Sequence, residues 1–104
     1  MKVPLLDLKA QLAAIEPELK AAINEVIDST AYIMGPQIDQ LEKKIAEYSG
    51  AGYGIGVTSG TDALLLALMG LDVTAGDIVI TTPYSFFASA GVIARLGATP
   101  VFVD

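Results

Sequence analysis

The segment Val57-Thr58-Ser59-Gly60-Thr61-Asp62-Ala63-Leu64 constrains the fold more than any other in this chain, because the hydrophobic pattern changes period inside it. Residues 54–57 are an apolar run of the kind that makes a buried strand, whereas residues 63–68 are alanines and leucines, helix formers without β-branching. The chain therefore passes from strand to helix at Ser59-Gly60-Thr61. At a helix N-terminus several backbone N–H groups lack internal partners and the peptide dipoles sum to a partial positive charge, so an anion is stabilised there. Gly60 allows close approach of the backbone, and Ser59 and Thr61 add hydroxyl donors. A plainer reading stays open, in which Ser59 or Thr61 is an ordinary N-cap and Asp62 complements the dipole. Asp62 weighs towards it, since a carboxylate repels a phosphate unless it points away.

Downstream, Ile78-Val79-Ile80 within residues 77–81 and Val101-Phe102-Val103 within residues 99–103 are short β-branched runs typical of a buried parallel sheet. Residues 88–96 between them read as a helix closed by Gly97, and residues 72–77 as a turn. Three strands with crossover helices make an α/β unit over residues 51–104. Upstream, residues 1–50 form a helical segment. Leu12, Ile15, Leu19, Ala22, Ile23, Val26 and Ile27 mark an amphipathic helix over residues 9–29. Pro17 interrupts it, which predicts a well-formed part beginning near Glu16 and a looser turn before it. After a loop at residues 30–36, Ile38, Leu41, Ile45 and Tyr48 predict the buried stripe of a second helix, with Pro36 at its start and Gly50 as its left-handed C-cap. No internal repeat or flexible linker interrupts this order.

Composition narrows the function. At 104 residues, 53% hydrophobic and a mean hydropathy of +0.57, the chain is long enough for one domain but unusually apolar for a small one, which predicts faces covered by other protein. Its formal charge of −6 leaves no basic stripe for nucleic acid. Without cysteine or histidine, disulfides and zinc chemistry are disfavoured. Residues 1–7 carry no secretory leader pattern, and no apolar run approaches about 20 positions, so a soluble, cytoplasmic protein with no membrane partner is expected.

The second informative segment is Thr81-Thr82-Pro83-Tyr84-Ser85-Phe86-Phe87-Ala88-Ser89, at the carboxyl end of a predicted strand. In an open parallel sheet ligands bind at that edge, and the Ser59-Gly60-Thr61 turn lies at the same edge if the strands are parallel. Phe86 is suited to stacking on a planar ring, with Ser85 or Ser89 offering a hydroxyl. The competing reading makes Phe86 and Phe87 core residues.

Taken together, Leu5-Leu6-Asp7-Leu8-Lys9, Tyr32-Ile33-Met34-Gly35-Pro36, Ser59-Gly60-Thr61-Asp62-Ala63-Leu64 and Gly97-Ala98-Thr99-Pro100-Val101-Phe102-Val103-Asp104 resemble the opening portion of the DegT/DnrJ/EryC1/StrS family of pyridoxal-phosphate-dependent sugar aminotransferases. The resemblance runs the length of the chain. It implies an α/β fragment of the aspartate-aminotransferase-like, fold type I large domain, preceded by two helices. It also implies that Gly60 and Thr61 hold the phosphate of pyridoxal 5'-phosphate, with Ser59 in the same motif, that Phe86 stacks on the pyridine ring, and that Ser85 and Ser89 line the same wall. The loop at residues 32–36 resembles one near the family's substrate entrance. The implied reaction moves an amino group, with glutamate as usual donor, to a nucleotide-linked keto-sugar, for amino-sugar, polysaccharide or glycoside biosynthesis. A homodimer or other homo-oligomer is the implied assembly.

The family's Schiff-base lysine and the acid that pairs with the pyridine nitrogen lie beyond the position of Asp104, so no catalytic residue is expected here. Lys2, Lys9, Lys20, Lys43 and Lys44 match none of the family's catalytic positions. The chain alone is expected to be inactive. In that fold the first strand lies at one edge of the sheet and the next two near the other. The run Ile55-Gly56-Val57 is therefore not expected to pair with Ile78-Val79-Ile80, and the isolated chain is expected to oligomerise, rearrange its sheet or be a truncated piece of a longer protein. The alternatives are a dehydratase of the same family that uses the aminated cofactor (PMP) without the lysine, a noncatalytic binding or assembly module, and an unrelated small α/β phosphate binder.

Overall fold

The computed structural model describes Val3 and residues 5–104; Met1, Lys2 and Pro4, and with them one of the five lysines, lie outside the described residues. The chain divides into two compact units, Met1–Gly54 and Ile55–Asp104.

The first unit is helical. Helix α1 runs over Leu8–Ser29 and is capped by Asp7, whose Oδ1 accepts from the Lys9 and Ala10 N–H groups at 3.1 Å each. The expected loose turn before Glu16 is therefore corrected: α1 starts at Leu8 and continues through Pro17. Pro17 withholds the N–H that would bond the Ala13 carbonyl, but both residues are exposed, so water can satisfy that carbonyl. Helix α2, Pro36–Ser49, begins with proline at its first turn and ends at Gly50 with φ 67°, as its sequence signals predict. Its expected buried stripe is not buried. Leu41, Ile45 and Tyr48 are exposed, as are Leu12, Ile15, Leu19, Ile23 and Ile27 of α1. Neither helix has a buried residue among the described ones, because this unit supplies no second layer over its apolar stripes.

The second unit contains the core. Helix α3 (Gly60–Gly70) is followed by strand β1 (Ile78–Thr81), helix α4 (Ala88–Arg95) and strand β2 (Thr99–Phe102). The two strands pair in parallel, with Ile78 opposite Thr99 and Thr81 opposite Phe102, and α4 makes the crossover. Leu65 of α3, Val92 and Ile93 of α4, and Ala98 form the buried cluster, with Leu68, Val73, Val79 and Leu96 packed against it. Ile93 is 2% exposed and sits at its centre.

Two expectations need correction. Residues 54–57 join no strand of the sheet, which has two strands rather than three among the described residues. Among the described residues β1 pairs with β2, and residues 54–57 take no strand conformation beside it. The non-adjacency expected for Ile55-Gly56-Val57 and Ile78-Val79-Ile80 accordingly holds. Second, β1 is not buried on both faces: Val79 and Thr81 are half-buried, whereas Ile78 and Ile80 on the alternate face are exposed.

Candidate functional site

Ser59, in extended conformation at φ −163° and ψ 165°, is the N-cap of α3. Its hydroxyl accepts from the Asp62 N–H at 3.2 Å, and its carbonyl accepts from the Ala63 N–H at 3.0 Å. The Asp62 and Ala63 N–H groups are thereby satisfied, while those of Gly60 and Thr61 have no acceptor among the described residues. The Asp62 carboxylate accepts from the Thr58 hydroxyl. It is thus held by the segment preceding the turn and caps neither open donor. A side chain at position 60 would meet nothing within 4 Å, so Gly60 leaves open space beside those donors instead of relieving a contact within this chain.

The opposite wall comes from the loop after β1 and the start of α4. The Tyr84 N–H donates to Thr82 Oγ1 at 3.2 Å, and the Ser85 and Ser89 hydroxyls share a hydrogen bond of 2.7 Å. Phe86 is 77% exposed and Phe87 80%, so neither is a core residue of this unit. Thr61 and Phe86 line one groove of about 320 Å³, together with Phe87, Gly91 and Arg95. Ser89 instead faces a smaller, mostly apolar hollow of about 220 Å³ beside Thr81 and Val79. Of the residues expected at the site, the fold joins Thr61 to Phe86. Ser59 and Gly60 adjoin Thr61 in the turn, and Ser89 lies on a neighbouring wall, tied to Ser85.

Phe87, Gly91 and Arg95 were not foreseen as groove residues. Their signal is the four-residue spacing that puts all three on one side of α4. Hydrophobic periodicity alone does not distinguish that side from a core-facing one. Among the described residues no group of three or more histidine, cysteine, aspartate or glutamate residues could hold a metal ion, and no helix is long and apolar enough to cross a membrane.

Residues 13–104 match the model of the DegT/DnrJ/EryC1/StrS aminotransferase family. The chain is 49% identical over its whole length to the pleiotropic regulatory protein of Geobacillus stearothermophilus, covering 28% of that protein. It is 42% identical over 98% of its length to the UDP-N-acetyl-3-dehydro-alpha-D-glucosamine 3-aminotransferase of Acidithiobacillus ferrooxidans, again covering 28%. Among solved structures it superposes with a TM-score of 0.93 on a DegT/DnrJ/EryC1/StrS aminotransferase from Brucella abortus, at 43% identity, covering 99% of this chain and 28% of that one. A Bacillus subtilis structure, NtdA with bound cofactor PMP, matches with a TM-score of 0.90 at 33% identity, over 99% of this chain and 24% of that one. The chain thus spans little more than a quarter of the length of the relatives it matches.

Proposed function

Because the chain belongs to the DegT/DnrJ/EryC1/StrS aminotransferase family, we propose that it builds the phosphate-and-ring half of a pyridoxal-phosphate site in an enzyme that transfers an amino group from glutamate to a nucleotide-linked keto-sugar. The observation that carries this reading is the common groove of Thr61, at a helix start with two open N–H donors, and the exposed Phe86. The donor set suits the cofactor: two N–H groups and a hydroxyl for a phosphate, open space over Gly60, and an uncovered aromatic ring. When bound, the cofactor supplies an electron sink for amino transfer.

Each residue then has a separate task. The Gly60 and Thr61 N–H groups and the Thr61 hydroxyl bind the phosphate, and the α3 dipole favours its charge. Ser59 orders the turn by accepting from the Asp62 N–H, and Thr58 restrains the Asp62 carboxylate. Phe86 covers one face of the pyridine ring and excludes water from it. Ser89, linked to Ser85, stands on the neighbouring hollow and takes no direct part in the groove. No lysine follows Lys44, and none matches the family's nucleophile position, so residues 1–104 alone are inactive. The complete protein acts in the cytoplasm, as a homodimer, in amino-sugar and polysaccharide biosynthesis. The 42% identical sugar-nucleotide aminotransferase supports the substrate class. The regulatory name of the 49% identical relative favours a second reading, a noncatalytic module that keeps the cofactor site.

The test is to incubate the full-length protein with pyridoxal phosphate, glutamate and a UDP-linked keto-sugar. Formation of 2-oxoglutarate and amino-sugar is expected. Cofactor binding without either product favours the noncatalytic reading, and absence of cofactor binding rejects both.

A further inference from the structure

Phe87, Gly91 and Arg95 follow one another at four-residue intervals along α4 and share the groove with Thr61 and Phe86. The Phe87 ring lies directly over Gly91: a Cβ at Gly91 would stand 2.7 Å from Phe87 Cε1 and 3.1 Å from Cδ1 and Cζ. Real Cβ atoms do not approach a ring so closely, so any side chain at position 91 displaces the ring. Gly91 lies inside a helix with no positive φ, where glycine is less favourable than alanine. The backbone does not demand it there; the steric demand comes from Phe87. The Gly91 N–H also donates to the Phe87 carbonyl at 2.9 Å, which ties the backbone of the two residues together beneath the ring.

We propose that Gly91 is a positioning residue for the cofactor site: by giving the Phe87 ring a flat seat on α4, it sets the width of the groove between Thr61 and Phe86. Phe86 precedes Phe87 in the chain, and its carbonyl accepts from the Ser89 N–H at 3.0 Å within the same turn. A Phe87 ring displaced from Gly91, whether it turns into the groove or out to solvent, no longer holds its place in the groove wall beside Phe86. This inference rests on the reading of that groove as a pyridoxal-phosphate site.

The experiment compares the full-length wild type with Gly91→Ala, Phe86→Ala, Phe87→Leu and the double variant Gly91→Ala/Phe87→Leu. It measures pyridoxal-phosphate affinity, the induced circular dichroism of the bound cofactor, and the thermal midpoint without cofactor. Gly91→Ala is expected to weaken cofactor binding about tenfold and change the induced ellipticity. Its cofactor-free midpoint is expected to hold or rise, because alanine favours the helix. The flexible leucine at position 87 is expected to restore the double variant to the affinity of Phe87→Leu alone. Unchanged affinity and ellipticity in Gly91→Ala overturn the proposal. If Gly91→Ala melts early, the double variant decides: recovery of affinity supports the steric pairing, and failure to recover overturns it. If Phe86→Ala binds the cofactor as the wild type does, the reading of the groove falls and this inference falls with it. If Phe86→Ala binds weakly and Gly91→Ala normally, only the role of Gly91 is rejected.

Discussion

Thr61 in the first turn of α3 and Phe86 in the loop before α4 are twenty-five positions apart, yet line one groove. Each offers a direct test. A hydroxyl hydrogen-bonded to a charged phosphate contributes about 1.5–3 kcal/mol, so Thr61→Ala in the full-length protein is expected to weaken pyridoxal-phosphate binding at least about tenfold. Equal affinities in a cofactor titration would return Thr61 to ordinary helix capping. Phe86→Ala is expected to weaken binding by a similar factor and shift the absorbance of the bound cofactor, since a stacked aromatic contributes about 0.5–1.5 kcal/mol beyond its buried area. An unaltered spectrum and affinity would remove its stacking role. The turn chemistry was legible in the sequence, because Ser59, Gly60 and Thr61 are adjacent. The restraint of Asp62 by Thr58 was not, since a side-chain hydrogen bond depends on rotamers that spacing does not specify.

At the scale of elements, the helices were the most readable part and the first expected strand the least. Caps and periodicity are local, so α2 and its Gly50 terminus followed from Pro36 and the apolar spacing. Pro17 predicts a break because proline's local cost does not include the Asp7 cap and the solvent exposure that let α1 run through it. Residues 54–57 show the opposite limit: β-propensity does not decide whether a run enters the sheet. The short elements of the second unit depend on Ile93. Truncation by Ile93→Ala is expected to destabilise that unit by about 2–5 kcal/mol, read from urea unfolding. A loss below about 1 kcal/mol would show that this cluster is not the core. Gly97, at φ 79°, ends the α4 crossover, and a Cβ there would lie 3.2 Å from the Ala75 Cβ. Gly97→Ala is expected to cost about 1–2 kcal/mol in the same measurement, and a neutral result would indicate that the turn relaxes.

For the whole molecule, the dominant physical fact is uncovered apolar surface. Large apolar side chains on α1, α2, the segment Ile55 to Val57 and the outer face of β1 remain exposed. Surfaces of that extent associate, so residues 1–104 expressed alone are expected to self-associate and to show no transaminase activity. Light scattering and a coupled glutamate assay check this; a monodisperse monomer, or turnover, would contradict it. The sequence by itself determined the turn that opens α3, the proline start and Gly50 end of α2, the two strands that pair and the family resemblance, because these reside in local chemistry and in residue order. Tertiary structure alone decided that Thr61 meets Phe86, that Ser89 faces a separate hollow, that Phe87 rests on Gly91, and that residues 54–57 find no place in the sheet. Those outcomes depend on contacts between segments distant in sequence and on the volume and direction of side chains, which neither composition nor periodicity encodes.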